Sequence, residues 1–180
     1  MKRNLVSALI LASTAMVAQL ASANDGTITF NGQVTAQTCT INGNGTGAKD
    51  FLVTLPSVST SALAGAGQTA GRTPFSIALS ACTPDSGNVH TYFEPGITTD
   101  ASTGNLKLDA GGASNVQIGL LNSDFTPIKA GFADASQNSK PVVIASGSAT
   151  LSYYAQYVAT GGAAGAGAAN SSVMYPLVYQ

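Results

Sequence analysis

The sequence is poor in the side chains on which most enzymes depend. It has no tryptophan, one histidine (His90) and one glutamate (Glu94). A Ser-His-Asp site would need His90 as its base, and no G-x-S-x-G motif marks a nucleophile. A glycosidase pair would have to combine an aspartate with Glu94 or with a second aspartate. This scarcity argues against an enzyme and leaves His90 as a surface or partly buried residue of a strand.

Charged residues are also scarce, at 8% of the chain. The aspartates are scattered, without the D-x-D spacing of a calcium loop, and no Cys/His cluster has zinc-site spacing. Without a predicted leader at residues 1–23, five basic residues face eight acidic ones, a net charge near −3. Nucleic-acid binding depends on clustered Lys and Arg and is therefore not expected. No cofactor is predicted.

Long apolar runs are missing except near the N-terminus. Lys2 and Arg3 precede an apolar run over residues 5–20, and Ala-Ser-Ala at 21–23 fits the rule for signal cleavage. We predict a signal peptide over residues 1–23; the alternative is a membrane anchor, for which the run is short. The remaining 157 of 180 residues suit one exported domain with its own core.

The chain has two cysteines, Cys39 and Cys82. In an exported protein the expected state is a disulfide between them, and two buried free thiols are the alternative. The bond would close a loop of about 44 residues, for which a chain-entropy treatment gives a stabilisation of about 4 kcal/mol.

Short β-prone runs between turn residues, in contrast, are abundant. Apolar and polar residues alternate within them, as in Leu151, Tyr153, Ala155 and Tyr157. Charged pairs at helical spacing are missing, so the pattern predicts an all-β sandwich. The predicted strands are residues 27–34, 39–43, 51–56, 74–82, 90–95, 106–110, 115–122, 141–144, 149–160 and 172–179.

Two further segments have weaker patterns. Residues 58–71 are interpreted as a loop, with a helical turn as the alternative. The Gly- and Ala-rich stretch 161–169 is interpreted as a wide hairpin connection between two strands. A phosphate-binding loop is the alternative there, but the Lys-Ser/Thr pair that would hold phosphate is absent.

The strand pattern at the start of the mature chain is unusual. Ile28, Phe30, Gly32 and Val34 would share one face, although chain ends usually fray. A glycine on the inward face weakens a strand unless something approaches closely. We call residues 24–34 the N-terminal arm.

Aromatic residues suggest an alternative function, that of an exported carbohydrate-binding or adhesin module. Sugar sites commonly combine an aromatic platform with Asp or Asn. Without tryptophan, the candidates are Tyr92, Phe93, Tyr153, Tyr154 and Tyr157, all within strand patterns where packing also explains them. A two-domain adhesin would need a receptor domain ahead of the sandwich, and 157 residues leave no room for one.

Three stretches together resemble a known family. They are GTITFNGQV near the mature N-terminus, the Cys39/Cys82 pair, and YYAQYVATGGAAGAGAAN followed by a terminal VYQ. In order and spacing they resemble the pilin subunits of chaperone–usher fimbriae, most closely the type 1 fimbrial major subunits. The resemblance extends over essentially the whole mature chain.

The resemblance implies that residues 35–180 form an immunoglobulin-like β-sandwich that lacks its final strand. The gap leaves a hydrophobic groove, which a periplasmic chaperone fills until the arm of a neighbouring subunit replaces it at an outer-membrane usher. The arm would be the donor strand, with Gly32 at a shallow pocket. Its groove-filling positions would be Ile28, Phe30, Gly32 and Val34.

The resemblance also implies where the groove lies. Its edges would be the C-terminal strand and the strand around residues 34–41, with the C-terminus contacting the chaperone. Pro176 cannot donate a ladder hydrogen bond, so it should lie where no donor is needed or at a bulge. The C-terminal positions are Val173, Tyr175, Leu177, Tyr179 and Gln180.

A donor strand on one surface and a groove on another make a contact that propagates instead of closing. The resemblance therefore implies a structural subunit of a surface fimbria that polymerises by donor-strand exchange and supports cell adhesion. Its partners would be neighbouring copies, the chaperone and the usher, with no nucleic acid and no membrane span. Its location would be the cell surface, reached through the periplasm.

Overall fold

The computed structural model describes residues 26–32, 34 and 36–180. The predicted signal peptide, residues 1–23, lies outside the described residues. The chain divides into two compact units, Met1–Val34 and Thr35–Gln180. No helix among the described residues is both long and apolar enough to cross a membrane.

The larger unit consists mainly of β-strands, as the alternating patterns predict. A 3-10 helix, Thr60–Leu63, and a short α-helix, α1 (Asp134–Gln137), lie in the connections. In chain order the strands are β1 (Thr38–Gly43), β2 (Thr69–Thr83), β3 (Gly87–Thr91), β4 (Leu106–Lys107), β5 (Val116–Asn122), β6 (Pro127–Ile128), β7 (Val142–Ile144), β8 (Ala149–Ala159) and β9 (Leu177–Tyr179).

The strands form two antiparallel sheets. The order in the larger sheet is β1-β2-β8-β5-β4, and β6 also pairs with β5. The order in the smaller sheet is β7-β3-β9. The C-terminal strand β9 is therefore an edge strand, and its neighbour β3 lies at the centre of its sheet.

The hydrophobic core draws on both sheets. Leu151 and Tyr153 of β8 are buried, whereas Ser152 between them is exposed, as period-two alternation requires. Ile77 of β2 and Val89 of β3 have no exposed surface. The predicted all-β sandwich is confirmed.

The segment after β3 is held in place by α1. Gln137 is fully buried, and its Nε2 donates to the carbonyl oxygen of Phe93 (2.7 Å) while its Oε1 accepts from the Phe93 N–H (2.8 Å). The side-chain amide thus replaces a strand neighbour and satisfies both backbone groups. This contact keeps the continuation of β3 in position beside the C-terminal segment.

Three local predictions differ from the structure. Residues 51–56, and residues 27–32 and 34, alternate in sequence but belong to no strand, because no strand of the described chain pairs with them. The stretch 161–169 joins β8 to β9, which lie in different sheets, so the hairpin prediction was wrong. The predicted loop 58–71 contains the 3-10 helix and the beginning of β2.

Candidate functional site

An apolar cavity of about 490 Å³ lies between the segments around Phe51 and Tyr175. Core residues from the larger sheet line it, among them Phe75, Ile77 and Ile118. The hydrophobic core is therefore accessible through this cavity, and none of the described strands covers it. We call the cavity and its two flanking segments the groove.

One side of the groove is the C-terminal edge, residues 171–180. Met174 accepts a hydrogen bond from the N–H of Glu94 (2.9 Å), and Pro176 accepts one from the N–H of Tyr92 (3.0 Å). Residues 177–179 continue this pairing within β9. Every second backbone unit of the edge is thus directed at β3 and its continuation.

The other backbone units of this edge point away from β3, because directions alternate along a strand. In the part of the chain that the structure describes, no strand pairs with that side. The side chains of these residues are partly buried against the core. The four residues are Val173, Tyr175, Leu177 and Tyr179, the groove positions that the resemblance implies.

Pro176 lies where its missing N–H would face the carbonyl group of Tyr92. The remaining bond of that pair, from the Tyr92 N–H to the Pro176 carbonyl oxygen, is present. Proline is therefore accommodated with the loss of one bond and without a bulge. The register beyond it is regular, with Leu177 opposite Thr91 and Tyr179 opposite Val89.

The opposite side of the groove is an irregular segment, residues 49–58. Phe51, Val53 and Leu55 are partly buried and pack against the core, whereas Leu52 is 78% exposed. No backbone–backbone hydrogen bond involves residues 51–58 within the described chain. The side chains of this segment alternate between buried and exposed as in a β-strand, although none of the described strands pairs with its backbone.

The resemblance to pilin subunits implied that this second edge lies around residues 34–41, and the structure differs. Ile41 of β1 does line the cavity, but the wall consists mainly of residues 49–55. The signal was present, since residues 51–56 were recognised as a strand pattern. What the pattern could not give was its position beside the C-terminus, more than a hundred residues away along the chain.

Tyr175 connects the two sides of the groove. Its ring lies edge-on to Phe51, with ring centroids 6.0 Å apart, and its hydroxyl donates to the carbonyl oxygen of Lys49 (2.6 Å). Burial raises the pKa of the Tyr175 hydroxyl, and the nearby Asp50 carboxylate raises it further. The phenol therefore stays neutral and able to donate.

The predicted donor positions belong to the smaller unit and are exposed. The side chains of Ile28, Phe30 and Val34 are 80%, 88% and 101% exposed. A Cβ placed on Gly32 would meet nothing within 4 Å. Three large apolar side chains thus lack any cover from the described residues.

The cysteines form the predicted disulfide. It joins Cys39 in β1 to Cys82 near the end of β2, 43 positions later in the sequence. At the other end of the chain, the backbone of Gln180 exchanges two hydrogen bonds with Asn88 (2.8 and 3.0 Å). Both ends of the larger unit are therefore fastened to strands.

His90 lies outside the groove. It is 5% exposed, and its Nε2 is 2.8 Å from Oδ1 of Asp134 in α1. Among the described residues no group of three or more His, Cys, Asp or Glu side chains could hold a metal ion. The contact between His90 and Asp134 connects β3 to α1.

The fold and the groove define a class, a β-sandwich subunit with an open strand edge over an exposed core. Comparison with known proteins identifies the family. Residues 55–180 match the family model "FimA: Type-1 fimbrial protein, A". The chain belongs to this family of fimbrial proteins and is a structural subunit of extracellular fimbriae.

Similar proteins agree with this assignment. The chain is 53% identical over 165 residues to the major fimbrial subunit SMF-1 of Stenotrophomonas maltophilia, covering 88% of this chain and 95% of that protein. It is 48% identical over 177 residues to the F17 fimbrial protein of Escherichia coli, covering 95% of each. Both alignments extend over nearly the full length of the relatives.

Solved structures share the fold. A type I fimbria protein of Burkholderia pseudomallei is 30% identical, with a TM-score of 0.58, over 80% of this chain and all of that chain. The P pilus rod subunit PapA is 19% identical, with a TM-score of 0.60, over 79% of this chain and 99% of that chain. The second likeness concerns the fold alone.

Proposed function

We propose that this subunit polymerises by donor-strand exchange, in which the N-terminal arm of one copy fills the groove of the next. One observation carries the proposal: the larger unit has an apolar groove whose strand edge is unpaired within the described chain, and the arm has three exposed large apolar side chains. An unpaired edge over an apolar groove would otherwise promote aggregation.

The arm and the groove match in length and chemistry. Residues 26–34 and 171–179 would each extend over about 30 Å as strands. Buried Ile28, Phe30 and Val34 side chains would each contribute about 1.5–3 kcal/mol. The outward backbone groups of the C-terminal edge and of residues 51–58 would supply the ladder, which is how an added strand gains affinity.

Gly32 is the position where the arm lacks a side chain. In an extended arm it points in the same direction as Phe30 and Val34. We infer that it meets a shallow part of the groove, where a Cβ substituent would hold the two chains apart. Thr29 and Asn31 then face outward, away from the groove.

The arm and the groove are different surfaces, so each joint leaves one of each unused and the assembly grows as an open fibre. Before assembly a periplasmic chaperone would cover the groove and contact the C-terminus at Tyr179 and Gln180. Exchange for the next arm would take place at an outer-membrane usher. The assembled fibre would lie at the cell surface and would there support cell adhesion.

A matched pair of arm variants tests the proposal. Phe30→Asp should abolish assembly because a carboxylate would enter the apolar groove. Thr29→Asp, one residue away on the opposite face, should assemble normally. Surface material is resolved by denaturing gel electrophoresis with and without boiling; wild type and Thr29→Asp should give oligomer ladders that collapse on heating. A normal ladder from Phe30→Asp would exclude donor-strand exchange through this arm.

A further inference from the structure

The sequence contains three Asn-Gly pairs, at residues 31–32, 42–43 and 44–45. In such a pair the glycine amide nitrogen can attack the carbonyl carbon of the asparagine side chain. A C–N bond forms, ammonia leaves, and water opens the resulting succinimide to aspartate or isoaspartate. Glycine favours the attack because no Cβ obstructs its nitrogen or restricts its backbone. The reaction also needs a backbone that is free to rotate.

The pair Asn42-Gly43 is held in place. Both residues belong to β1 and pair with Ala78 and Ile77 of β2. The nitrogen of Gly43 donates to the carbonyl oxygen of Ala48 (2.7 Å), and Oδ1 of Asn42 accepts from the N–H of Gly47 (2.8 Å). The attacking and attacked groups are therefore both occupied, and reaction requires local opening.

The pair Asn44-Gly45 is held by a turn. The nitrogen of Asn44 donates to the carbonyl oxygen of Ser76 (2.7 Å). Its φ of 49° and the φ of 75° at Gly45 lie in the left-handed region. Both backbones are thus fixed by the turn that follows β1.

The pair Asn31-Gly32 has none of these restraints. Both residues are exposed, and neither belongs to a strand. No hydrogen bond to either residue occurs within the described chain, and a Cβ on Gly32 would meet nothing within 4 Å. The reacting groups are the same as at the other two Asn-Gly pairs, and the difference lies in the hydrogen bonds and backbone conformation that hold those pairs in place.

We propose that Asn31 is a site of spontaneous deamidation in subunits whose arm is free, and that insertion of the arm into a groove protects it. The second half rests on the proposed donor-strand function. In an inserted arm the Gly32 nitrogen would be occupied by a backbone hydrogen bond of the new ladder, just as the Gly43 nitrogen is occupied by its bond to the carbonyl oxygen of Ala48. Fibre subunits would then retain Asn31, and unassembled subunits would lose it with age.

The product would also end the subunit's use as a donor. Isoaspartate carries the main chain through its side-chain carboxyl group and adds one methylene to the backbone. Residues after it then change faces relative to those before it. Phe30 and Val34 could no longer both enter the groove, so an aged subunit could accept an arm without donating its own.

The site is tested with the full mature subunit, aged as a monomer at neutral pH. The tryptic peptide that ends at Lys49 contains all three pairs, and its fragmentation locates the mass increase from amide to acid. We expect Asn31 to deamidate at least about tenfold faster than Asn42 and Asn44, which require local opening. The nearby Asp25-Gly26 pair can isomerise too, but without a mass change. Equal rates at the three asparagines would overturn the proposal.

Protection is tested by ageing assembled fibres under the same conditions. Deamidation of Asn31 should be at least about tenfold slower there than in the monomer, because the arm must leave its groove first. Equal rates in fibres and monomers would overturn the protection. The donor-strand proposal itself is judged separately, by the Phe30→Asp and Thr29→Asp gels, so the two failures can be told apart.

The consequence for assembly is tested with two variants of Asn31. Asn31→Gln resists the five-membered ring closure and should keep full donor activity after ageing. Asn31→Asp carries the negative charge without the longer backbone and should donate normally when fresh. Aged wild type should lose donor activity in proportion to its isoaspartate content. Normal donation by isoaspartate-containing subunits, or failure of fresh Asn31→Asp, would contradict the register argument.

Discussion

Tyr153 brings a hydroxyl group into the interior of the sandwich. It is 2% exposed, and its hydroxyl donates to Oγ1 of the fully buried Thr91 (3.0 Å). The ring packs against Phe75 and Phe93 at centroid distances of 5.5 and 5.6 Å. This hydrogen bond links β8 of the larger sheet to β3 of the smaller one, the strand that pairs with β9.

Removal of this hydroxyl should destabilise the subunit. Tyr153→Phe keeps the ring but leaves Thr91 without its partner, which should cost about 1 kcal/mol of unfolding free energy. Urea unfolding of the subunit, complemented with a synthetic arm peptide, measures the loss. Tyr154→Phe is the matched control, since Tyr154 is less buried and its ring packs on the half-exposed Phe125. Equal losses in the two variants would contradict the role of the buried bond.

Asp124 makes one surface turn sensitive to acid. Hydrogen bonds from Lys140 and then from Thr126 lower its pKa from 3.8 to about 2. Because the folded pKa lies below the unfolded one, the ionised carboxylate stabilises the fold above about pH 4, and this contribution disappears as the pH falls to about 2. Asp124→Asn should therefore be less stable than wild type at neutral pH. Unfolding curves should converge at about pH 2; a constant difference between the two proteins would contradict the assignment.

Among the structural elements, those with a partner inside the same chain were predictable from sequence. The runs 115–122 and 149–160 became β5 and β8 because each pairs on both sides and has one face in the core. Residues 51–56 have an equally good pattern and form no strand. The alternating pattern indicates which side chains prefer to be buried, whereas strand formation also requires hydrogen bonds to the backbone of a neighbouring strand.

The groove is predicted to depend on Tyr175 and not on its neighbour. Tyr175→Ala removes the ring beside Phe51 and the bond to Lys49, and should weaken binding of an arm peptide by about 1.4–2.8 kcal/mol, or about tenfold to a hundredfold. Met174 is 68% exposed and alternates to the opposite face. Met174→Ala should bind normally. Peptide dissociation rates measure both, and equal effects would argue against binding at this edge.

At the scale of the whole molecule, sequence patterns gave the fold class but not the topology. Neighbours in the chain, β8 and β9, lie in different sheets, and the wall of the groove combines residues around Phe51 with residues around Tyr175. Which strands share a sheet and which segments line the groove depend on contacts between residues far apart in the chain, and local periodicity does not encode such contacts. The resemblance to a family supplied the missing-strand architecture, but it placed the second edge around residues 34–41, whereas the wall of the groove consists mainly of residues 49–55.

The disulfide should be a large part of the stability of the whole subunit. The Cys39→Ser, Cys82→Ser double variant removes the constraint on the 43-residue separation and should lose about 4 kcal/mol in the chain-entropy treatment. Thermal unfolding of the peptide-complemented subunit, with wild type under reducing and non-reducing conditions, measures this. Reduced wild type should match the double variant. An unchanged midpoint in both would contradict a stabilising role.

The Cys39–Cys82 disulfide would also bear mechanical load in a fibre. Tension along a fibre built by arm exchange would enter the subunit through its N-terminal arm and reach β1 at Thr38. Force applied there peels β1 from β2 beginning at the pair Thr38 and Thr83. The link from Cys39 to Cys82 lies one residue inside that pair. In such a fibre the load would pass through a covalent bond into β2, the longest of the described strands, before any ladder hydrogen bond beyond the disulfide had to carry it.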